Sequence, residues 1–342
     1  MLKRVKVEDA VGMTIPYDLT KIVPGEYKGP GFRKGHVIRK EDIPLLKDIG
    51  KNYIYVLEIS PDEMHENDVA YVMEKWMKGE NVSSEGPVEG KITLVAGVDG
   101  LVKVNAEAVF ELNMIGEFSV STIHNNTPVK KGDKIAGFRA IPLVLRKEYV
   151  NLFESVASKY RYVVKVKPYV KKKVALVTTG TEIYTGRIKD RFKDIVKSKV
   201  EDYGAELIGS RIVPDDEDMV RSSIQEFLSV GAEIVVCTGG MSVDADDVTP
   251  RGIASAGAEI IRYGSPVLPG SMLLLAYKGE VPIVGIPAAG VFYKITVFDV
   301  ILPRLLAGDI ITYEDIARLG HGGFCRHCDV CNYPYCMLGK GW

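Results

Sequence analysis

From Val174 to about Leu306 the chain alternates short apolar runs with amphipathic stretches, and this order constrains the fold more than any other feature. Val174-Ala175-Leu176-Val177, Glu206-Leu207-Ile208 and Ile234-Val235-Val236 read as strands, with helices predicted near Asp190 to Tyr203 and Glu217 to Ser229. Strand and helix in alternation imply parallel βαβ units with right-handed crossovers. The predicted class is α/β: a three-layer, doubly wound domain on a mostly parallel sheet. Two of its strands run into Thr-Gly turns. One ends in Thr178-Thr179-Gly180-Thr181-Glu182, the other in Thr238-Gly239-Gly240-Met241-Ser242-Val243-Asp244-Ala245-Asp246-Asp247-Val248-Thr249-Pro250. Open α/β sheets bind ligands outside the carboxyl ends of their strands. Glycine turns there offer backbone N–H groups to phosphate oxygens, threonine hydroxyls add uncharged donors, and neighbouring carboxylates supply acceptors or cation ligands.

The preceding half has a different texture. Residues 1–84 are predicted to form an α+β region: a short helix over Glu41 to Gly50, a strand over Tyr53 to Leu57, and a helix over Asp68 to Lys78 whose Val69, Val72, Met73 and Trp76 make a core-facing stripe. Residues 85–170 read as a β-rich module. Lys91 to Ala96, Gly100 to Val104 and Phe118 to Ile123 alternate between turn residues, Val129 to Gly137 makes a tight turn, and a linker helix spans Glu148 to Lys159. The lysine-rich stretch Lys165 to Lys173 reads as a solvated edge strand. The α/β domain then occupies 171–308, and a cysteine-rich tail 309–342.

With 44 basic and 45 acidic residues, the net charge of −1 argues against a nucleic-acid partner bound through bulk charge. No apolar run is long enough to span a bilayer, and Met1 to Asp9 has no apolar core after its positive charges, so no membrane association is expected and a cytoplasmic location is predicted. His36, His65 and His124 are scattered without ligand spacing, and no P-loop, dinucleotide fingerprint or Ser-His-Asp order occurs in its expected context.

The Thr178 to Glu182 segment, Val213-Pro214-Asp215-Asp216, Thr238 to Ser242 leading to Asp247-Val248-Thr249-Pro250, Pro269-Gly270 and Gly285-Ile286-Pro287 follow one another in an order that resembles the molybdopterin-binding domain of the MoeA/MogA group. The resemblance covers about Lys173 to Gly308. It implies a molybdopterin-type ligand, free or adenylated, and a part in assembling or delivering molybdenum cofactor. Carried over by position, Asp247 and Glu182 become the candidate catalytic carboxylates, with Mg2+ between them and phosphate. Thr178, Thr179, Gly180, Thr238, Gly239, Gly240, Ser242, Thr249, Pro269, Gly270 and Pro287 become ligand-binding candidates. The alternative for Asp247 is an N-cap of the following helix, and Asp215 reads as a helix cap ahead of Asp218.

Two departures bear on activity. The group's Gly-Leu-Pro-Gly-Asn-Pro turn is Gly285-Ile286-Pro287-Ala288-Ala289-Gly290 here, and its Ser-Ala-Met-Asp-Gly-Tyr-Ala segment has no match before Lys173. Two readings follow: a molybdotransferase-like enzyme inserting molybdate into adenylated molybdopterin, or a non-catalytic carrier, sensor or insertion chaperone. Expected partners are a molybdoenzyme or another cofactor-assembly protein, in a homo-oligomer. A generic nucleotide-binding domain is the third reading.

Four of the five cysteines, Cys325, Cys328, Cys331 and Cys336, follow a C-x2-C-x2-C-x4-C spacing that brings four thiolates within reach of one centre. Zinc and an iron–sulfur cluster both suit such a set. Cys237, at the end of a core strand, reads as a small buried hydrophobe.

Overall fold

The computed structural model describes residues 2–23, 27–57, 59–242 and 247–340, and divides the chain into two compact units. Val243 to Asp246, the centre of the acidic loop singled out above, lie outside the described residues.

The first unit comprises residues 1–96, 104–123 and 132–165. Its beginning pairs Leu2–Lys6 with Tyr53–Leu57 antiparallel and packs Val7, Ile15, Leu46 and Ile54 into a small core. The predicted helix near Glu41 spans Asp42–Asp48. Further on, Val82–Val88, Lys91–Ala96, Lys134–Ala140 and Phe118–Thr122 form a four-stranded antiparallel sheet, which contains two of the strands expected from alternation; the third, Gly100–Val104, pairs in a separate three-stranded sheet. The helix Glu66–Met77 buries Val69 and Met73 of the expected stripe together with Ala70 and Met77, while Val72 and Trp76 are half-buried at its edge.

The second unit joins residues 97–103 and 124–131 to the whole of 166–342. Its sheet contains β1 (Lys173–Thr179), β2 (Glu206–Val213), β3 (Ile234–Thr238), β4 (Glu259–Tyr263), β5 (Leu274–Lys278) and β6 (Val281–Ile286), in the order β2-β1-β3-β6-β5-β4. β2, β1, β3 and β6 run parallel, while β5 is antiparallel to both its neighbours. The sheet is therefore mixed, because β5 and β6 are joined by a tight hairpin at Gly279 that a helical crossover would not permit.

Alternate residues of β1 enter two different cores. Val174 and Leu176 pack with Phe192, Val196 and Val200 of helix α2 (Phe192–Glu201; α1 is the single turn Thr181–Tyr184). Ala175 and Val177 pack with Val220 and Ile224 of α3 (Glu217–Ser229) and Ile253 of α4 (Thr249–Ser255). With both faces covered, the strands can be apolar throughout, which is why they read as continuous Val/Ile/Leu runs. After the short α5 (Ala289–Phe292), helix α6 (Val297–Leu306) is buried at every position and starts with a capping box between Thr296 and Asp299. A last helix, α7 (Tyr313–Arg318), precedes the tail.

The connections determine where a site can form. From β1 the chain passes through α2 to β2 on one side, then returns through α3 to β3 on the other side of β1. Strand order reverses between β1 and β3. Such a reversal is where open α/β sheets place their ligand sites, outside the carboxyl ends of the strands.

Candidate functional site

Thr178 and Thr238 are register partners at the carboxyl ends of β1 and β3, both fully buried, and Thr179 follows in β1 at 1% exposure. The Thr178 hydroxyl donates to Asp190 Oδ2 at 3.4 Å, and Asp190 Oδ1 accepts from the Phe192 N–H at the start of α2. The Thr179 and Thr238 hydroxyls are buried without a hydrogen-bond partner among the described residues. Such a pair is costly to leave unpaired, so its placement beside the two Thr-Gly turns is informative.

The β3 turn requires glycine. Gly239 has φ 79°, and a Cβ on it would collide with the carbonyl oxygen of Thr179. Gly240, at φ 55°, lies where a Cβ would come within 2.9 Å of Thr249 Oγ1, whose hydroxyl donates to the Gly239 carbonyl at 2.8 Å. The β1 and β3 turns are thus pressed together, with Thr249 of α4 fastening the second. Met241 fits its sulfur where Gly285 of β6 has no side chain. The Tyr263 hydroxyl sits 2.8 Å from the Met241 carbonyl and 3.0 Å from that of Ser242. Burial raises its phenol above the ordinary value, and the Asp247 carboxylate adds to this, which puts Asp247 within electrostatic reach of the same turn.

The other loop is braced from below. The Thr181 N–H donates to Asp215 Oδ2 at 2.8 Å, and the Asp215 N–H returns a 3.3 Å bond to Thr181 Oγ1. This corrects the expected cap: Asp216 caps α3 by accepting from Met219 N at 2.8 Å, because the chain enters the helix one residue later than the Asp215–Asp218 spacing suggested. Asp247 is half-buried, and Val248, not Asp247, takes the N-cap position of α4. Glu182 lies exposed on α1.

The remaining candidates divide. Ser242 is exposed beside the turn, and Pro287 is half-exposed just past the end of β6, beside the Ile286–Thr238 register pair. Pro269 and Gly270 are buried against the start of α6: Val297 N donates to the Pro269 carbonyl at 3.2 Å, and a Cβ on Gly270 would meet Val297. Sequence reasoning missed Asp190, Tyr263 and the bracing role of Asp215. Asp190 had a local signal, an acidic residue just before an amphipathic helix; the other two act across the fold and had none.

Residues 175–307 match the family model described as a probable molybdopterin binding domain. The matched domain contains every crevice residue above. A separate model, described only as a domain of unknown function, covers residues 4–58. A molybdopterin molybdenumtransferase of Synechococcus elongatus is 27% identical over 115 residues, 31% of this chain and 28% of that protein. A CinA-like protein of Mycobacterium sp. (strain MCS) is 30% identical over 90 residues, 26% of this chain and 21% of that protein. The chain thus matches less than a third of the length of either relative. The molybdopterin biosynthesis enzyme MoaB of Thermus thermophilus superposes on 40% of this chain and 98% of its own at 17% identity, with a TM-score of 0.34. No helix among the described residues is long and apolar enough to cross a membrane.

The tail cysteines are not gathered around a point. Cys325 and Cys336 are half-buried and Cys328 and Cys331 exposed, and among the described residues no three His, Cys, Asp or Glu side chains are disposed to hold a metal ion. All four cysteines line one cavity of about 560 Å3. Cys237 is fully buried, and desolvation pushes its thiol up to about 12, an inert core residue as expected.

Proposed function

We propose that the α/β domain binds a molybdopterin-type ligand in the crevice between the carboxyl ends of β1 and β3. The observation that carries this reading is the pair of buried hydroxyls of Thr179 and Thr238, without a partner among the described residues, beside a turn that only glycine can make. Ligand oxygens would satisfy those hydroxyls, and backbone N–H groups at Gly239 and Gly240 would meet the phosphate or its adenylated extension. Asp247 would accept from pterin N–H groups. Glu182 and Asp247, on the two loops, would offer a Mg2+ ion one or two carboxylates, the number such an ion takes when substrate phosphate and water complete its shell. The family match over residues 175–307 supports the ligand class.

Between the two roles for such a ligand, we favour a carrier or insertion factor over a complete molybdotransferase. The missing Ser-Ala-Met-Asp-Gly-Tyr-Ala segment and the altered Pro287 turn remove two features of the resembling enzymes. The test is the affinity of the anaerobically purified chain for molybdopterin, read by pterin fluorescence after oxidation, in wild type and Asp247→Asn. A loss of about tenfold, roughly 1.4 kcal/mol, is expected in the variant. Equal affinity in both, or no binding to wild type, would overturn the site. Release of AMP from adenylated molybdopterin in the presence of molybdate would restore the transferase reading.

A further inference from the structure

The tail lies beyond residue 307, outside both matched segments, yet it is firmly placed. Leu268 N donates to the Gly323 carbonyl and Cys325 N to the Leu268 carbonyl, each at 2.8 Å. The Tyr333 hydroxyl donates to the Asp299 carbonyl of α6 at 2.7 Å, and Leu338 is 4% exposed. Cys325, Tyr333 and Cys336 pack against the larger core of the α/β domain. Between Cys325 and Cys328 the chain turns at His327, whose φ of 51° is uncommon for a residue with a side chain.

Within this anchored segment all four cysteines line the same cavity of about 560 Å3. A single zinc ion, bonded at about 2.3 Å, would draw its four sulfurs to within about 3.8 Å of one another. No such gathering of three or more ligand side chains exists among the described residues. A polynuclear centre asks for a wider arrangement: each thiolate binds its own iron, so four cysteines set around one cavity suit it without converging on a single ion. The spacing agrees. Structural zinc sites commonly pair C-x2-C units across a long spacer, whereas here three cysteines recur at three-residue intervals and the fourth follows after four residues. The walls agree too. Phe292, Tyr293, Phe324 and Leu338 make them largely apolar, and Arg326 and Lys294 bring positive charge toward what would be a dianionic tetrathiolate cluster.

We propose that Cys325, Cys328, Cys331 and Cys336 hold a [4Fe–4S] cluster in this cavity. The proposal does not depend on the ligand assigned to the β1–β3 crevice. It is tested on the full chain, purified without oxygen from iron-supplemented cells, by assaying iron, acid-labile sulfide and zinc and by recording the visible absorption before and after dithionite. About four iron and four sulfide per chain are expected, with a visible band that bleaches on reduction. Cys328→Ser and Cys331→Ser, both at exposed positions where folding should be unaffected, should each lose most of the iron and sulfide while keeping the melting temperature of the metal-free wild type. About one zinc per chain without labile sulfide would overturn the proposal. So would four free thiols without metal, or undiminished iron in both serine variants.

Discussion

Thr238 ends a buried strand, and its hydroxyl finds no acceptor among the described residues. A valine there would keep the shape and remove the unpaired group, whose desolvation costs about 1–3 kcal/mol. Thr238→Val should therefore raise the stability of the ligand-free protein by about 1 kcal/mol in urea unfolding, and weaken molybdopterin binding about tenfold. A destabilised variant with unchanged affinity would show that the hydroxyl serves packing alone. At this scale the sequence was most legible where one residue type has one conformational purpose. Gly239 follows an apolar strand and is required because a Cβ would strike the Thr179 carbonyl. Asp215 and Asp216 were not separable, since which carboxylate caps α3 and which holds the Thr181 N–H depends on a contact 34 residues away.

Elements were legible where the pattern is periodic, and least so where a charge changes partner. α3 was expected from Glu217 to Ser229 and spans those residues, because its apolar face repeats at helical spacing. The lysine-rich strand was expected to be solvated. Val164–Pro168 is an edge strand, but Lys167 turns in to meet Asp309 Oδ1 at 2.6 Å. Asp309, just past α6, is 9% exposed and also takes Lys103 at 2.8 Å and Arg304 Nε at 3.4 Å through Oδ2. Burial alone would raise the Asp309 carboxyl, but Lys103 and then Lys167 outweigh it and hold it below the ordinary value. Its contribution is therefore complete above the unfolded aspartate pKa, near 3.9, and is lost as pH falls through the lower folded value. Asp309→Asn takes a counter-charge from buried Arg304, which keeps Asp315, and from half-buried Lys103 and Lys167, and should cost about 3 kcal/mol at neutral pH. Urea midpoints taken from neutral pH down through the carboxylate range should converge for wild type and variant at the acid end. A constant gap across the series would mean that the lost stability is not electrostatic.

At the scale of the whole molecule, Asp309 shows why a division by sequence blocks misses part of the architecture. Its partners come from three stretches of chain: Lys103 from 97–103, Lys167 from the strand before the α/β domain, and Arg304 from α6. Lys103 Nζ also donates to Asn126 Oδ1 at 2.6 Å, which adds the 124–131 segment. Leu101, fully buried, belongs to the core that contains α2 and α6, and the Tyr169 hydroxyl donates to the Gly100 carbonyl at 3.0 Å. Local periodicity marks Gly100 to Val104 as a strand but carries no information about which core it enters. The α/β domain accordingly should not be self-sufficient. A fragment of residues 166–342 loses the Leu101 side chain, at about 2–5 kcal/mol for a buried leucine left as a void, and leaves Asp309 without Lys103. We expect it to unfold at a lower temperature than the same domain in the full chain and to be cut faster by protease within β1 and α6. Adding a peptide of residues 97–131 in trans should recover part of the loss. If the fragment instead melts cooperatively at the temperature of the intact domain, the two inserted segments are decoration on a domain complete without them, and the block division at residue 171 is the better description.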